Sequence, residues 1–176
     1  MRKIVLFIAM SLDGYIADKD GGVGWLEGQD ENAENIDSYS SFIEDVDTVV
    51  MGWKTYHQVV TELSPSEWVY ADLASYVITH RDIPSAGQII FTQEDPCSLV
   101  RQLMQEKGKN IWICGGASIV RQLMQENLID VYYISIIPVI LGKGIRLFEA
   151  IEDGIKLRLT KTQIYNGITE LVYERR

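Results

Sequence analysis

Cations are scarce in this chain, so their positions are informative. Lys54 follows Met51-Gly52-Trp53, and His80-Arg81 follow Ser75-Tyr76-Val77-Ile78-Thr79. Around them lies an acidic chain, with 16 Lys and Arg against 25 Asp and Glu and a net charge of −9. That balance excludes a broad nucleic-acid surface, which needs a basic face, but leaves room for a small anionic ligand held by local cations. Two glycine turns could add to such a site. One is Gly52. The other lies in Ile111-Trp112-Ile113-Cys114-Gly115-Gly116-Ala117-Ser118-Ile119-Val120, where an apolar run meets a glycine pair and a helical pattern starts at once. A strand delivered to a bare helix start leaves backbone N–H groups unpaired at the positive end of the helix dipole, a natural seat for phosphate. Neither G-x-G-x-x-G nor G-x-x-x-x-G-K-[ST] occurs, so a standard Rossmann or P-loop site is unsupported. His57 and His80 have no metal-ligand spacing, and no metal is expected. Cys97 and Cys114 form no C-x-x-C pair, which fits a reducing cytoplasm rather than a disulfide framework.

The elements that must position these residues follow from apolar periodicity. Residues 4–10 are continuously apolar, as expected of a strand covered on both faces, and are too few to span a membrane. Buried strands are predicted at 48–51, 75–79, 88–92, 111–114 and 130–139, and a glycine-rich mobile segment at 21–28 around Trp25-Leu26. Ile36, Tyr39, Phe42, Ile43 and Val46 share one helical face, which predicts a helix over about 31–44. A short helix is expected at 53–60. Asp95 and Pro96 open a helix that stops by Gly108, and another follows Gly116. Residues 100–106 and 120–126 are the same heptapeptide, Val-Arg-Gln-Leu-Met-Gln-Glu, read as two helices meeting similar sheet faces. Asn166-Gly167 joins two alternating runs into a terminal hairpin. The expectation is one domain, α/β, with a mixed, mainly parallel sheet between two helical layers and an antiparallel finish. In such sheets ligands bind off the carboxyl ends of the strands, where Ser11 to Ile16, Gly52 to Thr55, Thr79 to Arg81 and Gly115 to Ser118 emerge. Several helix starts with cations beside them suit a ligand bearing several phosphates, such as a dinucleotide.

Ile8-Ala9-Met10-Ser11-Leu12-Asp13-Gly14-Tyr15-Ile16-Ala17, Val50-Met51-Gly52-Trp53-Lys54-Thr55-Tyr56 and Ile113-Cys114-Gly115-Gly116, in that order, resemble the dihydrofolate reductase superfamily. Leu128-Ile129-Asp130-Val131-Tyr132-Tyr133, Pro138 and Leu141-Gly142-Lys143-Gly144-Ile145-Arg146-Leu147-Phe148 resemble its branch containing the C-terminal reductase domain of the riboflavin-synthesis deaminase-reductase. The likeness covers nearly the whole chain. It implies a dihydrofolate reductase-like fold and an NADPH-dependent reductase of a small pterin-, pyrimidine- or related heterocycle. Ala9 and Ile16 would hold the nicotinamide carboxamide through backbone atoms. Gly52, Lys54 and Thr55 would cradle the pyrophosphate, and Thr79, His80 and Arg81 would meet the 2′-phosphate. Gly115 and Gly116, often cis in the family, would form the close-approach turn, with Ala117 and Ser118 against the phosphates. Trp25, Phe42 and Tyr56 would wall the substrate.

Two departures bear on this expectation. Trp53 stands where the family carries an arginine, so NADPH preference leans on Lys54, His80 and Arg81. Folate reducers place a carboxylate on the first helix, and that position falls on Ser38, with Asp37 adjacent as the candidate proton donor. True dihydrofolate reductase, and a nucleotide-binding protein that kept the fold but lost the chemistry, stand as alternatives. The branch is commonly dimeric, and the apolar run at 131–141 with the terminal hairpin offers a surface for a second copy.

Overall fold

The computed structural model describes residues 1–34 and 36–176. Its elements run β1 (Ile4–Ser11), β2 (Tyr15–Ala17), α1 (Ser38–Ile43), β3 (Val46–Gly52), α2 (Trp53–Gln58, continued by a π-helical turn, Val59–Leu63), β4 (Ala74–Ile78), β5 (Ile89–Thr92) and α3 (Pro96–Gln105). β6 (Asn110–Gly115), α4 (Ala117–Gln125), β7 (Val131–Ile137), β8 (Ile145–Arg146), β9 (Leu157–Tyr165) and β10 (Ile168–Arg175) complete the chain. Eight strands form one sheet in the order β5-β4-β3-β6-β1-β7-β10-β9. Its first six strands are parallel, while β10 pairs antiparallel with β7 and β9 with β10. This is the mixed, mainly parallel α/β architecture expected from the sequence.

One face of the sheet packs on α3 and α4 through aliphatic side chains, including Ile4, Leu6, Ile111, Ile113, Val100, Leu103, Val120 and Leu123. The repeated heptapeptide supplies the matching Val and Leu of both helices. Arg101 from the first copy pairs with Glu126 from the second at 2.9 Å, so the copies sit side by side on one sheet face. The opposite face is aromatic. Val49, Met51 and Trp112 are its buried floor, against which Phe7, Phe42, Tyr56, Trp68, Tyr70 and Phe91 pack while keeping some surface. A partly exposed aromatic layer is a poor structural core and a good ligand wall.

The helix expected over 31–44 is shorter than its periodicity predicts: among the described residues of that span only 38–43 are helical, and residue 35 lies outside the described residues. Polar residues explain this. Asp30 Oδ1 accepts the Asn32 amide at 2.9 Å, and Asp37 accepts the Ser40 amide at 2.9 Å, so local turns compete with the upstream helix. The small β2–β8 sheet has no counterpart in the sequence reading, since three residues give too little period to detect.

Candidate active site

The sheet opens at its centre. The β1–β6 ladder ends at Leu6–Ile113, whereas the β1–β7 ladder continues to Ser11–Ile137. The edge of β1 beyond Leu6 therefore faces the Gly115-Gly116 turn without strand pairing, at a switch point in strand order of the kind that binds ligands in open α/β sheets. Ala9 lies on this open stretch. Ile16 is the extra residue of a β-bulge, because Tyr15 pairs with Arg146 and Ala17 with Ile145. A bulged residue is left out of the ladder. Ala9 thus has no β6 partner on the side facing the glycine turn, and Ile16 stands at an irregularity of its short ladder.

The two glycine turns meet. Met51 pairs with Gly115, which sets the starts of α2 and α4 side by side. A Cβ on Gly116 would stand 3.7 Å from Thr55 Oγ1, and one on Gly52 would stand 3.4 Å from Ile119 Cδ1. Gly115 has φ +125° and its bond to Gly116 is cis, a backbone that only glycine enters readily. Neither helix start has a side-chain cap. The N–H groups around Lys54, Thr55, Ala117 and Ser118 are therefore free to meet phosphate oxygens.

Trp53, the departure from the family pattern, acquires a role. Thr79 is buried behind β4, and its Oγ1 accepts the Arg81 amide at 3.1 Å, shaping a turn that also carries exposed His80. That turn places the Arg81 guanidinium 4.8 Å from the centre of the Trp53 ring. The indole is a platform for a cation brought in from the next strand. Gly52, Lys54, Thr55, Thr79, His80, Arg81, Gly115, Gly116, Ala117 and Ser118 are thus gathered along one edge, and their donor set fits a phosphorylated dinucleotide.

The residues expected around a substrate divide. Phe42 stacks on Phe7 with centroids 4.2 Å apart and lies 5.5 Å from Trp112, over the open part of β1. Tyr56 instead packs between Trp68 and Phe91, away from β1. Trp25 turns back on its own loop, where its Nε1 donates to Gly22 O at 3.1 Å. That loop is held at both ends. Gln58 donates to Gly21 O at 3.0 Å, and the Gln29 and Asp30 amides donate to Asn166 at 3.0 and 2.9 Å. Residues 21–30 thus form a strap from α2 to the β9–β10 turn.

Asp37 is committed elsewhere. Both its oxygens accept from Ser40, which hold the exposed carboxyl below its ordinary value, so at neutral pH it is an ionised helix cap rather than a proton donor. Asn at this position is expected to lower thermal stability slightly and to leave any turnover intact. Steady-state rates at pH 6 and 8 check this, and a lost rate would restore Asp37 as the acid.

Ser38, at the family's acid position, reaches a carboxylate the sequence reading missed. Its Oγ donates to Glu170 Oε1 at 2.6 Å. Glu170 is 2% exposed and also accepts from Tyr165 Oη at 2.9 Å and Ser135 Oγ at 3.3 Å. Burial, then the Glu170 contact, push the Tyr165 phenol up to about 12. Alternation in β10 marks Glu170 as inward-facing, but without the β7 register nothing shows which residues it joins.

Cys114 stands beside this wall with its Sγ 4.0 Å from Tyr70 Oη, and burial pushes its thiol up to about 11. The native protein is therefore expected to resist iodoacetamide at Cys114 at pH 8 and to react fully in urea, as read by mass spectrometry of the labelled peptide. Because the folded state holds this proton more tightly, the associated stability is complete below the unfolded thiol value and declines as pH rises towards about 11.

A groove of about 640 Å³ at the opposite, N-terminal end of the parallel strands is lined by Met124, Asn127, Asp153, Lys156 and Arg175. It contains none of the expected site residues. Among the described residues, no cluster suits a metal ion and no helix is long and apolar enough to cross a membrane.

This sheet, split beside a glycine turn and finished by an antiparallel hairpin, is the dihydrofolate reductase-like fold. Dihydrofolate reductase from Enterococcus faecalis, solved with NADP(H) and RAB-propyl, superposes with a TM-score of 0.67 at 14% identity, over 99% of this chain and 96% of that one. The chain belongs to the RibD C-terminal domain family, whose model matches residues 2–173. It is 41% identical to the uncharacterised protein YwjB of Bacillus subtilis (strain 168), over 99% of this chain and 98% of that protein. A putative riboflavin biosynthesis protein from Shewanella sp. PV-4 superposes with a TM-score of 0.85 at 28% identity, over 99% of both chains.

Proposed function

We propose that this protein is a cytoplasmic NADPH-dependent oxidoreductase that reduces a small pterin-, pyrimidine- or related heterocycle. The observation carrying this reading is the adjacency of two uncapped glycine turns, with Arg81 stacked on Trp53 beside them and the open edge of β1 in front. NADPH, when bound, supplies the hydride. The protein's part is placement. The α2 and α4 starts with Lys54 hold the pyrophosphate, Arg81 and His80 meet the 2′-phosphate, and Ala9 and Ile16 fix the carboxamide by backbone hydrogen bonds. Phe7, Phe42 and Trp112 present an aromatic wall to a flat substrate, and the strap of residues 21–30 excludes water. Ser38 and the capping geometry of Asp37 argue against folate as the substrate, because neither offers the helix-borne acid that folate reduction uses. A homodimer through the β7–β10 side is part of the same proposal.

Calorimetry with NADPH tests the reading. Binding at micromolar concentration, weaker for NADH, is the expected result. No binding at millimolar cofactor overturns it, and binding without oxidation across pterins and aminopyrimidines would leave a nucleotide-binding protein that lacks the chemistry.

A further inference from the structure

The aromatic wall carries two hydroxyls with little to bond. Tyr39 and Tyr70 flank Trp112, with ring centroids 5.9 and 5.1 Å from the indole. Tyr70 Oη reaches only Cys114 Sγ, at 4.0 Å, and Cys114 lies past the end of the β1–β6 ladder, where the sheet opens. Among the described residues no hydrogen bond reaches Tyr39 Oη, and its exposed ring stands 6.2 Å from Phe7. Burial, then Cys114, push the Tyr39 phenol above its ordinary value, and burial, Cys114 and Tyr39 do the same to Tyr70. Both therefore keep their protons at neutral pH, and no cation is among the groups acting on them. The charge around the wall is one-sided. The strap, α1, α2 and the segment carrying Trp68 and Tyr70 all come from residues 20–80, which hold twelve Asp and Glu against one Lys and no Arg. That lysine is Lys54, in the first turn of α2 on the edge assigned to the cofactor phosphates. Of the other cations at this end of the sheet, Lys19 pairs with Asp20, Arg81 lies over Trp53 and Arg146 over Tyr15. Lys143 shares the Arg146 loop, which packs Leu147 into the α3–α4 side of the core. Lys161 shares a row with Phe7 through Val172 and Tyr133, but it stands three strands away, about 14 Å at ordinary strand spacing.

We infer that the substrate is an uncharged, unphosphorylated heterocycle whose carbonyl or hydroxyl acceptors are met by Tyr39 and Tyr70, and that the cleft rejects the same ring carrying a phosphate. A phosphate brought to this wall would lose water against an aromatic surface set among carboxylates, with no guanidinium or ammonium to pair with. That mismatch is a repulsive element, and it sets the specificity as firmly as any attraction does. A neutral ring meets no such cost. It stacks against Phe42 and Trp112 and supplies the acceptors that the two phenols lack. The inference rests on the reductase reading for placing the ring beside β1. Its readout is a charge preference in binding, which is separate from turnover.

The test compares uridine with UMP, the same ring and ribose without and with a phosphate, on the full chain saturated with NADPH so that the cofactor edge is occupied. Calorimetry or quenching of Trp fluorescence reads the binding. Wild type is expected to bind uridine about tenfold to a hundredfold more tightly than UMP, and the gap should narrow between about 0.05 and about 0.5 M salt as charges are screened. Tyr39→Phe and Tyr70→Phe keep the rings and the charge. Each should weaken uridine about threefold to tenfold, the size of a neutral hydrogen bond, and leave the ratio to UMP unchanged. Tyr39→Arg, at an exposed helix position, should close the gap by raising UMP affinity. Equal affinity for the two probes, a gap that ignores both salt and the arginine, or no uridine binding at its solubility limit overturns the inference. Undiminished uridine binding in both Phe variants overturns the assignment of the phenols. If NADPH fails to bind, the reductase reading falls, and the same comparison on the free chain still decides this one. If NADPH binds and the preference is missing, this inference falls and the reductase reading stands.

Discussion

Replacing Arg2 by alanine is expected to lower stability by about 3 kcal/mol, a fall of roughly 6–12 °C in melting temperature for a chain of this size. Arg2 is 6% exposed and sits at the foot of the sheet, where β1, β3, β6 and α3 meet. Its Nε donates to Lys109 O at 2.7 Å, its Nη1 to Leu103 O at 3.1 Å, and its Nη2 to Thr48 Oγ1 at 2.6 Å and to the Asp47 carboxylate. Alanine would strand those acceptors in a place that water reaches poorly. Asp47 retains some solvent access, which limits the loss. Burial opposes the charge on Asp47, but the Lys109 amide, the Thr48 hydroxyl and Arg2 outweigh it and hold its carboxyl below the ordinary value. Stability from that depressed value is present above the unfolded carboxylate range and is lost as pH falls through the folded value. The Arg2→Ala protein should therefore lose part of this acid sensitivity, so the gap from wild type narrows on going from pH 7 to pH 3. Urea titrations at the two pH values, with the slope checked for constancy, measure both effects. An unchanged midpoint at pH 7 would show that water replaces the guanidinium at no cost.

Much of this architecture was legible because its signals are local and repeated. Continuous apolar runs marked β1, β3 and β6 as strands covered on both faces, Asp95-Pro96 marked the start of α3, and Asn166-Gly167 marked the last hairpin. The meeting of the two glycine turns was legible only in combination: a glycine pair between a buried strand and a helix is a weak signal alone, and it gained meaning from Gly52 at the end of the neighbouring strand. The rest depended on register. Nothing local marks Arg2, two residues before β1, and only the pairing of distant strands puts Asp47 and the end of α3 within its reach. Glu170 drew no attention within the alternating run of the hairpin, and only the pairing of Ser135 with both Ala9 and Glu170 puts it in one row with β1. The helix around Asp37 was overestimated because apolar spacing is blind to Asx turns, which decide where α1 begins. Trp53 read as a lost phosphate contact because a sequence does not show that Arg81 lies over its ring.

That pair yields the sharpest functional expectation. Arg81→Ala should weaken NADPH binding about tenfold to a hundredfold and leave NADH nearly unaffected, since a charge-assisted contact to a phosphate contributes about 1.5–3 kcal/mol and NADH lacks that phosphate. Trp53→Ala should act in the same direction but less, because it removes the platform and not the charge: the cation–π contact contributes about 0.5–1 kcal/mol at an exposed site. The two losses should not add. Once Arg81 is absent, the indole has nothing to orient, so the double variant should bind NADPH as the Arg81 variant does. Raising ionic strength should weaken NADPH binding in wild type and do so less in Arg81→Ala, since the contact is exposed and screened. Equal losses for NADPH and NADH would move Arg81 away from the 2′-phosphate and onto the pyrophosphate or the fold. Full additivity would mean that Trp53 meets the cofactor directly, by stacking on the adenine, and not through Arg81.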